Sequence, residues 1–243
     1  MNILVTAGNT FVPIDGVRGI TNIFTGRTGG QIALYACERG HETILLTSHP
    51  ETVAGHVDRL TVLSYRTFAE LQELMARQLM SGRFDALVHC AAVTDYESGG
   101  IYAPAGGTRF NPAACRWQSA TAEPPALVDS SAGKVKSDEP ELWLRLVRTP
   151  KLVDRVRRDW HFHGIVVKFK LEVGVDEETL EQIAERSRQV SGADLMVANT
   201  LEGAHDWALL GPFAGRYERI DRSELPARLL GGVERLHKER GHG

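Results

Sequence analysis

The residues best placed for chemistry form four groups, each following a predicted strand. The first is the opening loop, where Asp15, Arg18, Thr21, Asn22, Thr25 and Arg27 crowd between Gly8 and a second glycine cluster, Gly26, Gly29 and Gly30. Glycines at the mouth of a helix let the backbone approach an anion, which the free N–H groups and positive dipole end then hold. The second is Ala91-Ala92-Val93-Thr94-Asp95. Its small side chains admit a flat ring, and Asp95 offers a carboxylate to a hydroxyl or a metal, or else caps a turn. The third, Lys134-Val135-Lys136, puts two cations on one side of an extended segment, suited to phosphates or to a solvated face. The fourth is Asn199, whose amide meets a ligand or fixes a loop.

Familiar signatures are missing. Roughly 18 residues separate Gly8 from Gly26, too many for a G-x-G-x-x-G fingerprint, and no G-x-x-x-x-G-K-[ST] occurs. An NAD(P)-dependent oxidoreductase is therefore the weaker reading, the more so because no acidic residue ends the second strand. His161 and His163 flank Phe162 without a third ligand at zinc spacing and read as surface or turn residues. G-x-S-x-G, H-E-x-x-H and EF-hand patterns do not occur.

The elements that must position these groups alternate. Ile3 to Ala7 is a short apolar run, Gly8 breaks it, and Gln31 to Arg39 suits a helix packed on a sheet. Glu42 to Thr47, Leu60 to Leu63 and Asp85 to Val88 predict further strands. Thr67 to Met80 predicts a helix with Thr67 and Glu70 as a capping box. Beyond them come a weakly alternating Glu141 to Val147, a helix opened by Pro150, a β-branched Ile165 to Leu171, and a helix over Asp176 to Ser191. Leu195 to Ala198 predicts a strand ended by Asn199, and a hairpin follows around Gly211 to Gly215. Ser223 caps a last helix with Leu225, Leu229, Leu230, Val233 and Leu236 inward. The order predicts an α/β fold, a Rossmann-like, mostly parallel sheet with helices on both faces and a small antiparallel flap or edge. Glu97 to Ser131 is rich in Gly, Pro, Ala and Ser and shows no period, which reads as a flexible flap over 97–133 within a single domain, 1–243, or as plain disorder.

The totals narrow the partners. With 243 residues, 42% hydrophobic, the chain can bury one large core. A net charge of −3 gives no basic footprint for nucleic acid. Cys37, Cys90 and Cys115 are widely separated and suit a reducing cytoplasm. The start shows no basic and apolar leader, and no stretch approaches a membrane span. A cytoplasmic protein acting on small molecules, or pairing with copies of itself, is the expectation.

Six blocks then match a known family in order: NILVTAGNTFVPIDGVRGITNIFTGRTGG, AAVTDY, GKVKS, RTPKLVDRV, VVKFKLEV and ADLMVAN. Together they closely resemble phosphopantothenoylcysteine synthetase, the phosphopantothenate–cysteine ligase of coenzyme A biosynthesis. With no preceding flavin-binding decarboxylase domain in the sequence, the likeness is to the monofunctional bacterial form, and no flavin is expected. The resemblance implies a homodimer that joins 4′-phosphopantothenate to cysteine through an acyl-nucleotidyl intermediate, using CTP, with ATP as the alternative, and magnesium, and releasing pyrophosphate.

The resemblance also implies roles. Asn22 would hold the acyl intermediate, and Thr25 with Gly26 would meet the substrate phosphate; Arg18 and Asn199, from their own places after strands, are the further candidates for the substrate site. Gly8, His89, Cys90, Ala91 and Asp95 would receive the nucleotide. Lys134 would be the flap lysine that stabilises phosphate charge. Pro150, Lys151, Leu152, Val153 and Phe169 would complete the nucleotide pocket, and Arg186 is the cation of this chain that lies near the place of the family's nucleotide-contacting lysines. No metal ligand set is implied by residue. Three departures stand out: Ser187, Val190 and Ser191 occupy the neighbourhood of two nucleotide-contacting lysines, Gly8-Asn9-Thr10 replaces Gly-Gly-Thr, and Lys168 stands where a glycine is common. A paralogue that binds nucleotide or serves as a scaffold without turnover is the non-enzymatic rival.

Overall fold

The structure, a computed structural model, describes residues 1–53 and 55–241. The chain begins with β1 (Asn2–Ala7), a short antiparallel pair β2 (Phe11–Pro13) and β3 (Gly19–Thr21), and α1 (Arg27–Glu38). Then follow β4 (Glu42–Thr47), β5 (Leu60–Ser64), α2 (Phe68–Leu79) and β6 (Ala86–His89). Next are β7 (Tyr96–Pro104), β8 (Thr108–Asn111), β9 (Arg116–Ser119), β10 (Leu127–Asp129) and β11 (Trp143–Arg148). The remainder is α3 (Leu152–Arg158), β12 (Ile165–Glu172), α4 (Glu177–Ser191), β13 (Leu195–Thr200), β14 (Trp207–Phe213), β15 (Arg216–Asp221) and α5 (Leu225–Gly241).

Backbone contacts separate two compact units, where the sequence suggests one domain with an internal flap: Met1–Thr10, Ile23–Val93 and Lys151–Gly243 form the first, and Phe11–Asn22 with Thr94–Pro150 the second. The first unit holds an eight-stranded sheet in the order β15-β14-β13-β12-β6-β1-β4-β5. It is parallel from β13 through β5, with β14 and β15 added antiparallel at one edge. Central strands of such a sheet are covered on both faces and so read as apolar runs. β1 does this: Ile3, Val5 and Ala7 face a core with α1 and α5, while Leu4 faces a core with α2 and α3. Burying a side chain such as Leu4 contributes roughly 2 kcal/mol. The expected α/β architecture with helices on both faces is what the chain forms.

The capping box forms as read: Thr67 Oγ1 accepts the Glu70 amide at 3.3 Å and Glu70 accepts the Thr67 amide at 3.0 Å. Three boundaries differ from expectation. α1 begins at Arg27, four residues before Gln31, so Gly29 and Gly30 lie inside its first turns. Asn199 is within β13 and does not end it. Ser223 sits inside a 3-10 turn, Arg222–Glu224, and caps nothing there. Among the described residues no helix is long and apolar enough to cross a membrane.

The second unit is antiparallel. β7 pairs with β10 on one side and β11 on the other, and β2–β3 and β8–β9 form hairpins. The stretch Glu97 to Ser131, aperiodic in sequence, therefore carries strands. Gly99 explains part of the disguise: a Cβ there would come within 2.6 Å of Val147 Cγ2 on β11, so the strand needs a residue of low strand propensity. Phe110, Trp117 and Trp143 pack with ring centroids 4.7 to 5.3 Å apart, tying the β8–β9 hairpin to β11.

Candidate functional site

In the first unit, the close approach of two glycines shapes the site. Gly26, the N-cap of α1, has φ 81° and lacks a side-chain cap, and a Cβ on it would fall 2.3 Å from the Gly8 nitrogen. A Cβ on Gly29 would fall 2.6 Å from Ala7 Cβ. Only glycine permits this crossing, which sets the first turn of α1 against the carboxyl end of β1. No acidic residue occupies that first turn. Its positive dipole end is thus left for an outside anion. Thr25 is exposed beside it. Arg222 reaches the same turn, donating from Nη2 to Thr28 Oγ1 at 2.7 Å.

The end of β6 lies alongside. Thr6 Oγ1 is 2.9 Å from His89 Nδ1 and accepts the Ala91 amide at 3.2 Å, while the Ala92 amide donates to the Gly8 carbonyl at 2.8 Å. Gly8, Gly26, His89 and Ala91 are thereby gathered at one end of the parallel strands, where open α/β sheets bind ligands. Burial, with the nearby Lys168 cation adding to it, lowers His89 to about 4, so its imidazole is neutral at pH 7. Desolvation pushes the Cys90 thiol up to about 12, which removes it from nucleophilic chemistry. Its contribution to a ligand is therefore shape.

Around α3 and β12 the expected nucleotide residues divide by burial. Lys151 is the exposed N-cap of α3, whereas Leu152 and Val153 are buried in the core with Val156. Phe169 is half-buried against the other core. Arg186 is exposed on α4, while Arg188 is committed to Glu185 and to the Ala193 carbonyl. Ser191 Oγ bonds back to the Ser187 carbonyl at 3.0 Å. Lys168 is 9% exposed and donates from Nζ to that same carbonyl at 3.1 Å. Asn199 is buried, its Nδ2 3.4 Å from the Thr200 carbonyl.

The second unit holds the remaining residues. The Asp15 carboxylate accepts the Val17 and Arg18 amides at 2.9 and 2.7 Å and the Arg18 guanidinium at 2.6 Å. It also accepts the Val135 amide at 3.1 Å. Arg18 Nη2 donates to the Val135 carbonyl at 2.8 Å, and the Gly16 amide to the Gly133 carbonyl at 2.8 Å. Lys134 is exposed between two residues whose main chain is pinned to the β2–β3 turn. Arg18 is thus occupied in holding this segment. Asn22 follows β3 at the open end of the same hairpin, so Asn22 and Lys134 stand at its opposite ends. Asp95 is exposed at a bend whose carbonyl accepts the Thr149 amide at 2.9 Å, next to Pro150.

The sequence names Asp15 without a role, marks Lys168 only as a departure, and gives no sign of Thr6 or Arg222 as parts of the site. Asp15-Gly16-Val17-Arg18 carried a usable signal, because Asp side chains bond amides two or three residues on. A lysine within an apolar strand, Lys168, was the other.

Comparison with known proteins places this geometry. Residues 1–102 match the family model described as DNA/pantothenate metabolism flavoprotein C-terminal domain. Over 242 residues the chain is 31% identical to the coenzyme A biosynthesis bifunctional protein CoaBC of Thermococcus kodakarensis, covering 96% of this chain and 51% of that protein. It is 27% identical over 201 residues to the CoaBC of Escherichia coli K12, covering 82% and 41%. The chain thus spans about half the length, or less, of these curated relatives. The crystal structure of the DNA/pantothenate metabolism flavoprotein from Streptococcus pneumoniae superposes with a TM-score of 0.78 at 26% identity, over 98% of this chain and 100% of that one. A Cab2 mutant solved with phosphopantothenate-cysteine shares the fold, with a TM-score of 0.67 at 17% identity, over 98% and 86%. With the six blocks in order and the glycine crossing, the chain is similar in its first 102 residues to the DNA/pantothenate metabolism flavoprotein C-terminal domain family, and along nearly its whole length to about half of the CoaBC proteins.

Proposed function

We propose that the chain joins 4′-phosphopantothenate to cysteine through an acyl-nucleotide, with CTP or ATP as the activating nucleotide. The carrying observation is the Gly8–Gly26 crossing, which sets an uncapped helix start beside the ends of β1 and β6. A nucleotide resting against the ends of β1 and β6 brings its α-phosphate to the carboxylate of a substrate whose own phosphate sits at the helix start. A carboxylate oxygen attacks that phosphorus and pyrophosphate leaves. The cysteine amine then attacks the acyl carbon, and the nucleoside monophosphate leaves.

Such transfers are accelerated by positioning and by cations set where phosphate charge develops. Lys134 supplies that cation, and the Asp15–Arg18 turn fixes its main chain. Asn22 offers an amide to the acyl intermediate, Thr25 and the α1 start meet the substrate phosphate, and Asn199 completes the substrate side. His89, neutral, holds Thr6, which accepts the Ala91 amide and so fixes the end of β6 that the nucleotide rests against; Lys151, Phe169 and Arg186 line its remaining sides. Among the described residues no three His, Cys, Asp or Glu side chains converge on a metal. Exposed Asp95 would be the carboxylate to help hold a nucleotide-bound magnesium, which would supply charge neutralisation at the phosphates. Exposed Leu127, Val128 and Leu146 on the second unit's sheet suit burial between two copies in a cytoplasmic homodimer.

The test is incubation with 4′-phosphopantothenate, cysteine, magnesium and each nucleotide, with mass detection of the ligated product. Folded protein that yields no product with any nucleotide would overturn the proposal.

A further inference from the structure

The large sheet carries a cavity of about 160 Å³ that the reaction above does not use. It lies at the amino ends of the parallel strands, the far end from Gly8 and His89. Side chains alternate across a strand, so Asn2 of β1, Glu42 and Ile44 of β4 and Thr61 of β5 share the face that Leu4 presents to α2. α2 ends at Leu79 and leaves these first residues to Arg83 and Phe84, which close the cavity from the turn before β6. An apolar cavity of about 150 Å³ admits benzene, so this one has room for a ligand of about six non-hydrogen atoms.

Donors dominate its lining. Arg59 Nη1 meets Glu42 Oε1 at 2.5 Å and Arg83 Nη2 donates to Gln78 Oε1, so each guanidinium keeps most of its N–H groups for other partners. The Arg83 guanidinium carbon lies 5.0 Å from the centre of the Phe84 ring, an arrangement that occupies its face and leaves its edge available. Arg59 is also held in strained backbone. Its φ of 66° is a left-handed value that glycine adopts more readily, and its carbonyl is fixed by the Thr43 amide at 2.8 Å. A residue kept in such a conformation by its neighbours points to a role for its side chain.

We propose that this cavity is a second binding site, for a small phosphate-bearing ligand. Guanidinium groups pair with oxyanions through parallel N–H bonds. Donors arriving from β1, from β5 and from the turn before β6 suit a tetrahedral group with three terminal oxygens, whereas a planar carboxylate presents two. Glu42 already fills part of the Arg59 fork with a carboxylate, and at 58% exposure it has room to swing away. Two cations against that one carboxylate leave the lining net positive. The site is separate from the α1 start and does not depend on the ligase reading.

Heteronuclear NMR on the intact protein tests it, with inorganic phosphate and methyl phosphate as probes and succinate as a dicarboxylate control. The amide signals of Asn2, Thr61 and Phe84 should follow a saturation curve of their own, distinct from that of Gly26 and Thr28 at the α1 start. Arg83→Gln and Arg59→Gly should each weaken the first curve about ten- to hundredfold and leave the second unchanged. Glu42→Gln should strengthen the first several-fold, because Arg59 loses its internal competitor. Arg59→Gly also relieves the left-handed backbone, so its melting temperature should hold or rise while binding is lost, which separates a lost site from a lost fold. Shifts confined to Gly26 and Thr28, tighter binding of succinate than of phosphate, weaker binding in Glu42→Gln, or a first curve unaltered in both arginine variants would overturn the inference. None of these readouts uses ligation, so failure here leaves the ligase reading standing, and absence of ligated product leaves this site standing.

Discussion

Asp15 and Val135, 120 residues apart, are joined by a hydrogen bond of 3.1 Å from the Val135 amide to the Asp15 carboxylate. Arg18, held by the same carboxylate, returns a bond of 2.8 Å to the Val135 carbonyl. The residue before Val135 is the lysine proposed to meet phosphate charge, so the Asp15 carboxylate sets the position of its main chain.

Asp15→Ala should lower turnover about ten- to hundredfold while circular dichroism stays unchanged, since displacing a charged group by about 1 Å costs that much. Hydrogen bonds from Arg18 and from the Val17 and Arg18 amides hold the Asp15 pKa well below the usual carboxylate range. A depressed carboxylate pKa stabilises above the unfolded value, about 3.9, and that hold is lost as pH falls through the folded one. The Val135 amide should therefore remain protected from exchange at pH 4 in wild type and lose protection in Asp15→Ala at every pH. Equal protection in the two would remove the positioning role.

Lys134→Ala and Asn22→Ala should each reduce pyrophosphate release about 10²- to 10³-fold with melting temperature preserved, the usual loss on deleting a donor aimed at developing charge. Turnover unchanged in either variant would remove that residue from the mechanism.

His89 gives stability a pH dependence. Its folded pKa, about 4, lies below the unfolded value of about 6.5, so the unfolded chain binds the extra proton between them. Stability is complete above about 6.5 and declines as pH falls toward 4, by about 3 kcal/mol from this group. Denaturant titrations from pH 7 to 4 should show that decline in wild type and a shallower one in His89→Gln. Parallel curves would count against the buried neutral imidazole.

Gly26→Ala should destabilise by about 3 kcal/mol or more, adding a clash with the Gly8 nitrogen to the cost of a left-handed backbone. Gly40→Ala shares the positive φ but meets nothing within 4 Å, so it should cost about 1 kcal/mol. Equal melting shifts for the two would show that the crossing is not tight.

The sequence by itself determined the first unit. Apolar runs such as Ile3 to Ala7 become strands covered on both faces, and Thr67 with Glu70 starts a helix, because these choices depend on periodicity and on partners within a few residues. It also named the glycines, though not why they are needed. Tertiary structure decided the rest. Glu97 to Ser131 forms strands because β7 pairs with β10 and β11, and the glycine that lets Val147 approach hides that strand from any local pattern. α1 starts early because Gly29 packs on Ala7. Arg18 holds a loop, and Lys168 becomes a buried cation bonded to the Ser187 carbonyl, because the fold brings together residues that the chain keeps far apart; burial and hydrogen bonding, set by those long-range contacts, fix what each group can do.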